Sequence, residues 1–215
     1  MQDICADSVR VACPLFQAEG GGVTPTSALQ LNIVTITSSK AAMLNELWHS
    51  RMPKIDAYAV CKPCFAALYE NRFYAIAMWS LPIAANRIRN GNFCLELRRM
   101  AIASDAPKNT ASRMLSIMKN WIYKNRPDII RLLSYQDTGV HSGTIYKASG
   151  WLAVRTSEYV TWGNHSKRPG RIEQSTAPKV RWEYELRPAT KAMEESRTAN
   201  NSASMQNAQV ELDLL

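Results

Sequence analysis

Three blocks between Leu95 and Trp151 carry residue types from which a group-transfer site can be built. The first is Glu96-Leu97-Arg98-Arg99. The second is Ala106-Pro107-Lys108-Asn109-Thr110-Ala111-Ser112, followed by Arg113. The third is Ser134-Tyr135-Gln136-Asp137, then His141-Ser142-Gly143-Thr144-Ile145-Tyr146, ending at Gly150-Trp151. In order they read as strand, turn, helix, strand, and a polar loop opening a short helix. A strand that runs into a capped helix leaves several backbone N–H groups free at the positive end of the helix dipole, a cradle for a phosphate or pyrophosphate. Lys108, Asn109, Thr110 and Ser112 lie at that turn, with Arg113 on the first helical turn, and Ser134 is counted with this coenzyme set. Side chains alternate along a strand, so Arg98 and Arg99 are expected on opposite faces, one of them toward the coenzyme. The plainer reading is that Asn109 or Thr110 is only a helix cap. That explains the cap and leaves Lys108 and Arg113 without a reason to flank it.

These blocks need elements to hold them. Leu31 to Thr37 is rich in β-branched residues and reads as a strand. Ser39 then caps a helix with Met43, Leu44, Leu47 and Trp48 at helical spacing, ended by Arg51-Met52-Pro53. Two apolar runs flank Glu70-Asn71-Arg72 and predict a hairpin. Cys94 to Ala103 reads as a central strand. The following helix carries Ala111, Met114, Leu115, Met118 and Ile122 as an apolar stripe. Ile129 to Tyr135 reads as a buried strand, and Gly150 as a left-handed cap on the short helix. Two last strands are expected at Trp151 to Thr156 and Val180 to Leu186. The order predicts an α/β domain over 29–189, a mixed sheet with helices on both faces. Residues 1–28, with Gly20-Gly21-Gly22, read as a loose N-terminal arm. Residues 190–215, dominated by Ala, Ser, Asn and Gln, read as a disordered tail.

Composition bounds the partners. The chain has 215 residues, is 46% apolar, and carries 26 basic against 18 acidic residues, a net charge of +8. Such a balance suits nucleic acid or a phosphorylated coenzyme, and equally a merely solvated surface. No apolar run is long enough to span a bilayer, and Asp3 and Asp7 precede the first arginine, so no membrane association or secretory signal is expected. The five cysteines (Cys5, Cys13, Cys61, Cys64 and Cys94) form an odd, irregular set that points to a reducing cytoplasm rather than a disulfide framework. Cys61-Lys62-Pro63-Cys64 has metal-like spacing without a second pair and reads as incidental.

Taken together, the three blocks, with Trp48-His49-Ser50-Arg51-Met52-Pro53 and Pro178-Lys179-Val180-Arg181-Trp182, resemble the Mom family of phage DNA-modification proteins, which is similar in fold to the GNAT acyltransferases. The resemblance covers roughly Leu44 to Arg187. It implies a sheet whose strands splay to admit acetyl-CoA or another acyl-CoA. It implies modification of the exocyclic N6 amine of adenine in double-stranded DNA with a small carbamoyl-type group, which protects phage DNA from restriction in the cytoplasm of a bacterial host. It assigns His49, Asp137 and Tyr146 to the reaction site, and Arg99 with the turn Asn109 to Arg113 to the coenzyme. Two positions depart from the family. Ser50 stands where an aromatic usually follows the histidine, and the Lys108–Ser112 turn has no glycine.

The chemistry those residues could do is definite. A purine-conjugated amine is a poor nucleophile, which must lose a proton and meet an electrophile held in line. His49 could be the base, Asp137 could orient it or act itself, and Tyr146 could donate to a leaving thiolate. Each has a plainer reading: a histidine packed at a helix end, a turn residue before Gly139, and an aromatic packed against Trp151. A divalent metal on His49 and Asp137 is conceivable, but no spacing motif supports it, and His141 reads as a solvated loop residue. Lys167, Arg168, Arg171, Lys179 and Arg181 are candidate DNA contacts, as are Arg87 and Arg89 in a separate loop. The alternatives are an acetyltransferase acting on a protein or small-molecule amine, and a catalytically idle DNA-binding domain.

Overall fold

A computed structural model describes residues 8–15, 24–49, 52–55, 58–82, 93–157 and 177–189. Eight strands form one sheet: β1 (Val9–Ala12), β2 (Asn32–Ile36), β3 (Cys64–Tyr69), β4 (Arg72–Ser80), β5 (Cys94–Ile102), β6 (Arg131–Asp137), β7 (Leu152–Ser157) and β8 (Lys179–Glu185). Their spatial order is β1-β2-β3-β4-β5-β6-β8-β7. Every neighbouring pair is antiparallel except β5 with β6. Among the described residues, three α-helices cover the sheet: α1 (Ser38–Trp48), α2 (Thr110–Asn125) and α3 (Thr144–Ala148). The expected α/β class, with helices on both faces, is what the chain adopts.

The two faces have separate cores. On one, Met114, Leu115, Met118 and Ile122 of α2 meet Phe65, Trp79, Leu95 and Leu132 of the sheet, and Tyr146, Trp151 and Trp182 extend this core past β6. On the other, Ala41 and Leu44 of α1 meet Val34, Phe73, Ile76 and Met78. The stripe read along α2 is therefore the buried one. The stripe read along α1 is only half right, since Met43 and Leu47 are exposed. Thr37, not Ser39, caps α1, its side chain accepting from the Lys40 N–H. The β3–β4 hairpin turns on Glu70 and Asn71, both at positive φ, which matches the right-handed twist of the strands.

Part of the expected loose arm is sheet. Val9–Ala12 pairs antiparallel with β2, and Leu15 N–H reaches the Leu29 carbonyl. A four-residue strand gives little periodicity to read, and the glycine run that follows it dominated the composition. Residues 1–7 and 16–23 of the arm, and the expected tail 190–215, lie outside the described residues.

Two irregularities in β5 position the site. The first is a bulge. Met78 pairs with Arg99 and Trp79 with Leu97, which leaves Arg98 opposite nothing. Leu95 and Leu97 face the α2 core, and beyond the bulge Met100 and Ile102 take that side while Ala101 packs on the α1 side. The regular alternation expected for Arg98 and Arg99 therefore fails: the extra residue resets which face follows. The second is a split. β5 and β6 pair only from Cys94 with Arg131 to Leu97 with Ser134. Beyond that point β5 continues along β4 to Ile102, and β6 continues along β8 to Asp137. The sheet opens between Arg98 and Ile102 on one lip and Tyr135 to Asp137 on the other.

Candidate active site

At the root of the split, the Ser134 hydroxyl and the Tyr146 phenol lie 2.9 Å apart, buried. Tyr146 stacks on Trp182 with ring centroids 5.3 Å apart and meets Trp151 edge-on. Burial raises the phenol's pKa, with Ser134 opposing, so the group stays protonated and able to donate. Beside it, the Trp182 indole N–H donates to Gln136 Oε1 at 2.7 Å, and Gln136 Nε2 donates to the His141 carbonyl. One amide thus ties β8 to the loop that follows β6. Gly143 must be glycine there: its φ is +74°, and a Cβ would sit 2.5 Å from Gln136 Oε1 and 2.7 Å from the Trp182 ring.

Asp137 ends β6 as a turn-former. Its Oδ1 accepts from Gly139 N–H at 2.9 Å, and its carbonyl accepts from His141 N–H at 3.0 Å. The turn brings His141 into electrostatic reach of His49. His49 is the C-cap of α1, its N–H on the Asn45 carbonyl at 2.8 Å, and its Nδ1 accepts from Met52 N–H at 3.2 Å. Burial first, then the charges of Arg99 and His141, push its pKa below the ordinary histidine value. No hydrogen bond joins His49 to Asp137 or Tyr146 among the described residues.

Arg99 completes this corner. Burial and the adjacent Arg98 lower its pKa, while Cys61 and Glu96 oppose. Its Nη1 donates to the Arg98 carbonyl at 2.7 Å. Cys61 is buried and feels Arg98, Arg99 and Glu96; burial dominates and raises its pKa, and Cys64 is pushed up to about 12. The two thiols are therefore protonated core groups. Glu96 and Cys61 were missed as site neighbours. Both stood in quoted motifs, but only the bulge and the β3 register bring them beside Arg99.

The α2 turn also departs from expectation. Asn109 occupies the N-cap position with φ +68° and no side-chain cap bond. Thr110 Oγ1 donates to the Pro107 carbonyl at 2.7 Å and Ser112 Oγ to the Asn109 carbonyl at 3.1 Å. Arg113 Nη2 donates to the carbonyls of Cys13 and Leu31. These side chains build the turn and anchor it to the sheet. The amides of Ala111 and Ser112 are left without a protein acceptor among the described residues, and the Nε atoms of Arg98 and Arg99 are buried without one.

A profile of the Mom protein family matches residues 30–209. The chain belongs to that family. No curated protein sequence matches it. Among solved structures, this Mom-family chain is similar to the ribosomal-protein-S5-alanine acetyltransferase of Vibrio fischeri (12% identity, TM-score 0.53, 84% of this chain and 100% of that one). It is similar to the ribosomal-protein-S18-alanine N-acetyltransferase of Escherichia coli (13%, 0.52, 75% and 97%). A third is a Bacillus subtilis acetyltransferase in complex with CoA (12%, 0.51, 73% and 99%). The Mom-family chain therefore has the GNAT acetyltransferase fold.

Of the basic residues expected to meet DNA, Lys179 and Arg181 lie on β8. Arg181 pairs with Glu183 at 2.8 Å, a carboxylate that also meets Arg131 at 3.5 Å. Lys179 stands opposite Asp137 across the β6–β8 register. Arg87, Arg89, Lys167, Arg168 and Arg171 lie outside the described residues. Among the described residues, no group of three or more His, Cys, Asp or Glu side chains could hold a metal ion, and no helix is long and apolar enough to cross a membrane.

Proposed function

We propose that this protein transfers a small acyl-type group from a CoA thioester to the exocyclic N6 amine of adenine in double-stranded DNA, as a phage-type protection against restriction. The observation that carries the reading is the split after Leu97 and Ser134, with the Tyr146–Ser134 hydroxyl pair at its root, in a chain of the Mom family. A CoA thioester would supply a carbonyl activated by a thiolate leaving group. The residues present suit it: the amide N–H groups of Ala111 and Ser112, without an acceptor among the described residues, can donate to a phosphate, with Lys108 alongside, and Arg98 and Arg99 add positive charge at the lip. Arg113, spent on two carbonyls, is not counted among these ligands.

The chain's own residues then have distinct tasks. Tyr146, kept protonated by burial, gives its proton to the departing sulfur. Ser134 fixes the phenol's direction. Asp137 holds the turn that carries His141. Lys179 and the basic segment 165–181 meet DNA phosphates.

Mass spectrometry of deoxynucleosides from DNA of expressing cells tests the reading. A mass-shifted deoxyadenosine is the expected result. Unmodified DNA together with an acetylated protein amine would instead favour the second reading, which rests on the fold shared with two ribosomal-protein-alanine acetyltransferases. For the interface, replacing Lys167, Arg168 and Arg171 with alanine should flatten the salt dependence of DNA binding, by about one unit of slope for each phosphate no longer neutralised. An unchanged slope would remove that segment from the interface.

A further inference from the structure

We infer that His49 works in the transfer as a hydrogen-bond donor through Nε2–H, and not as the base that takes the amine proton. The inference deepens the acyl-transfer reading above and rests on it for what the donor meets. Its origin is the loop that follows α1. Met52 N–H donates to His49 Nδ1 at 3.2 Å. An N–H needs a lone pair to meet, so Nδ1 carries no proton in that contact, and a neutral imidazole then carries its proton on Nε2. Neutrality is supported from three sides: the ring is partly buried, and both Arg99 and His141 disfavour a positive charge on it. The opposite tautomer, with Nδ1–H turned to His49's own carbonyl, would leave the Met52 N–H without its acceptor.

The loop is built to hold this contact. Asn45 is fully buried on α1, and its Nδ2 donates to the carbonyls of Met52 at 3.0 Å and Pro53 at 2.7 Å. The Asn45 carbonyl takes the His49 N–H. One residue therefore fixes both ends of the turn that presents Met52 N–H to the ring, and Asn45 is a positioning residue for the tautomer. Nε2 is the nitrogen left for a ligand: no protein acceptor meets it among the described residues.

In the transfer, the amine lone pair forms the N–C bond and the carbonyl π pair moves onto oxygen. The Nε2–H of His49 stabilises that oxygen. Collapse breaks the C–S bond; the sulfur takes a proton from Tyr146, and the new amide nitrogen releases one to water, which restores the phenol. Nothing is oxidised or reduced. The carboxamide of glutamine can place an N–H near the position of Nε2 but cannot act as a base, whereas that of asparagine reaches only about as far as Nδ1.

The test uses the full chain with duplex DNA and acetyl-CoA. His49→Gln should keep deoxyadenosine modification within about tenfold of wild type, while His49→Ala and His49→Asn should each lose on the order of 10²- to 10³-fold. His49→Gln falling as low as His49→Ala, with CD spectra unchanged, would overturn the donor role. Independently, the ring of ¹⁵N-histidine-labelled protein, assigned by loss of signal in His49→Gln, should show Nε2 protonated and Nδ1 bare; a proton on Nδ1 would overturn the inference whatever the activities. A wild type that modifies no DNA while showing protonated Nε2 would sink the substrate assignment and leave the tautomer standing.

Discussion

Two regions flank the split in the sheet, and they are built in opposite ways. The wall on the α3 side is a closed lattice: Tyr146 on Trp182, Trp182 on Gln136, Gln136 on the His141 carbonyl, Ser134 on Tyr146. The polar groups of these four side chains pair with one another or with the backbone inside an aromatic core, so their geometry is set by packing. The corner on the α1 side collects His49, Arg99, Arg98 and Cys61 under mutual electrostatic influence, with buried guanidinium nitrogens that no group among the described residues meets. A site needs both. A proton donor must stay where the leaving atom departs, so it is locked. A surface meant to receive an anionic or polar substrate must leave donors unspent, at a cost in stability that the wall and the two cores offset.

The difference can be broken most directly at Gly143. Gly143→Ala adds a Cβ against Gln136 and Trp182 at a positive φ. The expected loss is about 3 kcal/mol of unfolding free energy, and with it the seat of Tyr146. Urea denaturation measures it, and a loss below about 1 kcal/mol would mean the wall is looser than its contacts say.

What could be read from the sequence follows the same division. The wall was partly legible. Gly150 as a left-handed cap, the short helix before it and the stripe of α2 all follow from local rules, and φ at Gly150 is +77°. Tyr146 was weighed as a packing aromatic and as a proton donor, and the fold shows it packed with its hydroxyl at the split. The corner was not legible. Nothing local in Glu96-Leu97-Arg98-Arg99 announces a bulge, because a bulge is a property of pairing with β4. His49 rose above a packed helix end only through resemblance, and its Nδ1 contact depends on a loop closed by Asn45. Asp137 makes the turn after β6, as its plainer reading had it, and His141, exposed as expected of a loop residue, is close enough for its charge to reach His49.

Tyr146→Phe separates locking from chemistry. It deletes one buried hydroxyl from a well-packed ring, so stability should fall by only about 1 kcal/mol, while kcat should fall by roughly 10²-fold. Equal small effects on both would make Tyr146 a structural residue alone. Gln136→Leu cuts the lattice at its middle, leaving the Trp182 N–H and the His141 carbonyl unpaired. It should cost about 1–3 kcal/mol. Trp182→Phe in the same background should then cost less than it does in wild type, because the two act as one unit.

The smallest effect belongs to the corner and is read by pH. His49 has its folded-state pKa below the unfolded value, by burial and by the facing charges of Arg99 on β5 and His141 on the loop after β6, with its own carbonyl weakly opposing. The unfolded chain therefore binds the proton more readily. The contribution of the neutral ring is fully present above the ordinary histidine value and is lost as pH falls below it toward the lowered folded value. Protonation also places a hydrogen on Nδ1 against Met52 N–H, so the turn held by Asn45 should loosen over the same range. The melting temperature of wild type should thus drop more than that of His49→Gln between neutral pH and mildly acidic pH. Neither Tyr146 nor its partners Ser134, Gln136 and Trp182 carries a charge that changes over that range, so Tyr146→Phe should track wild type throughout. If instead His49→Gln parallels wild type, the corner is not under the electrostatic stress its charges imply, and the contrast between the two regions fails at its weaker side.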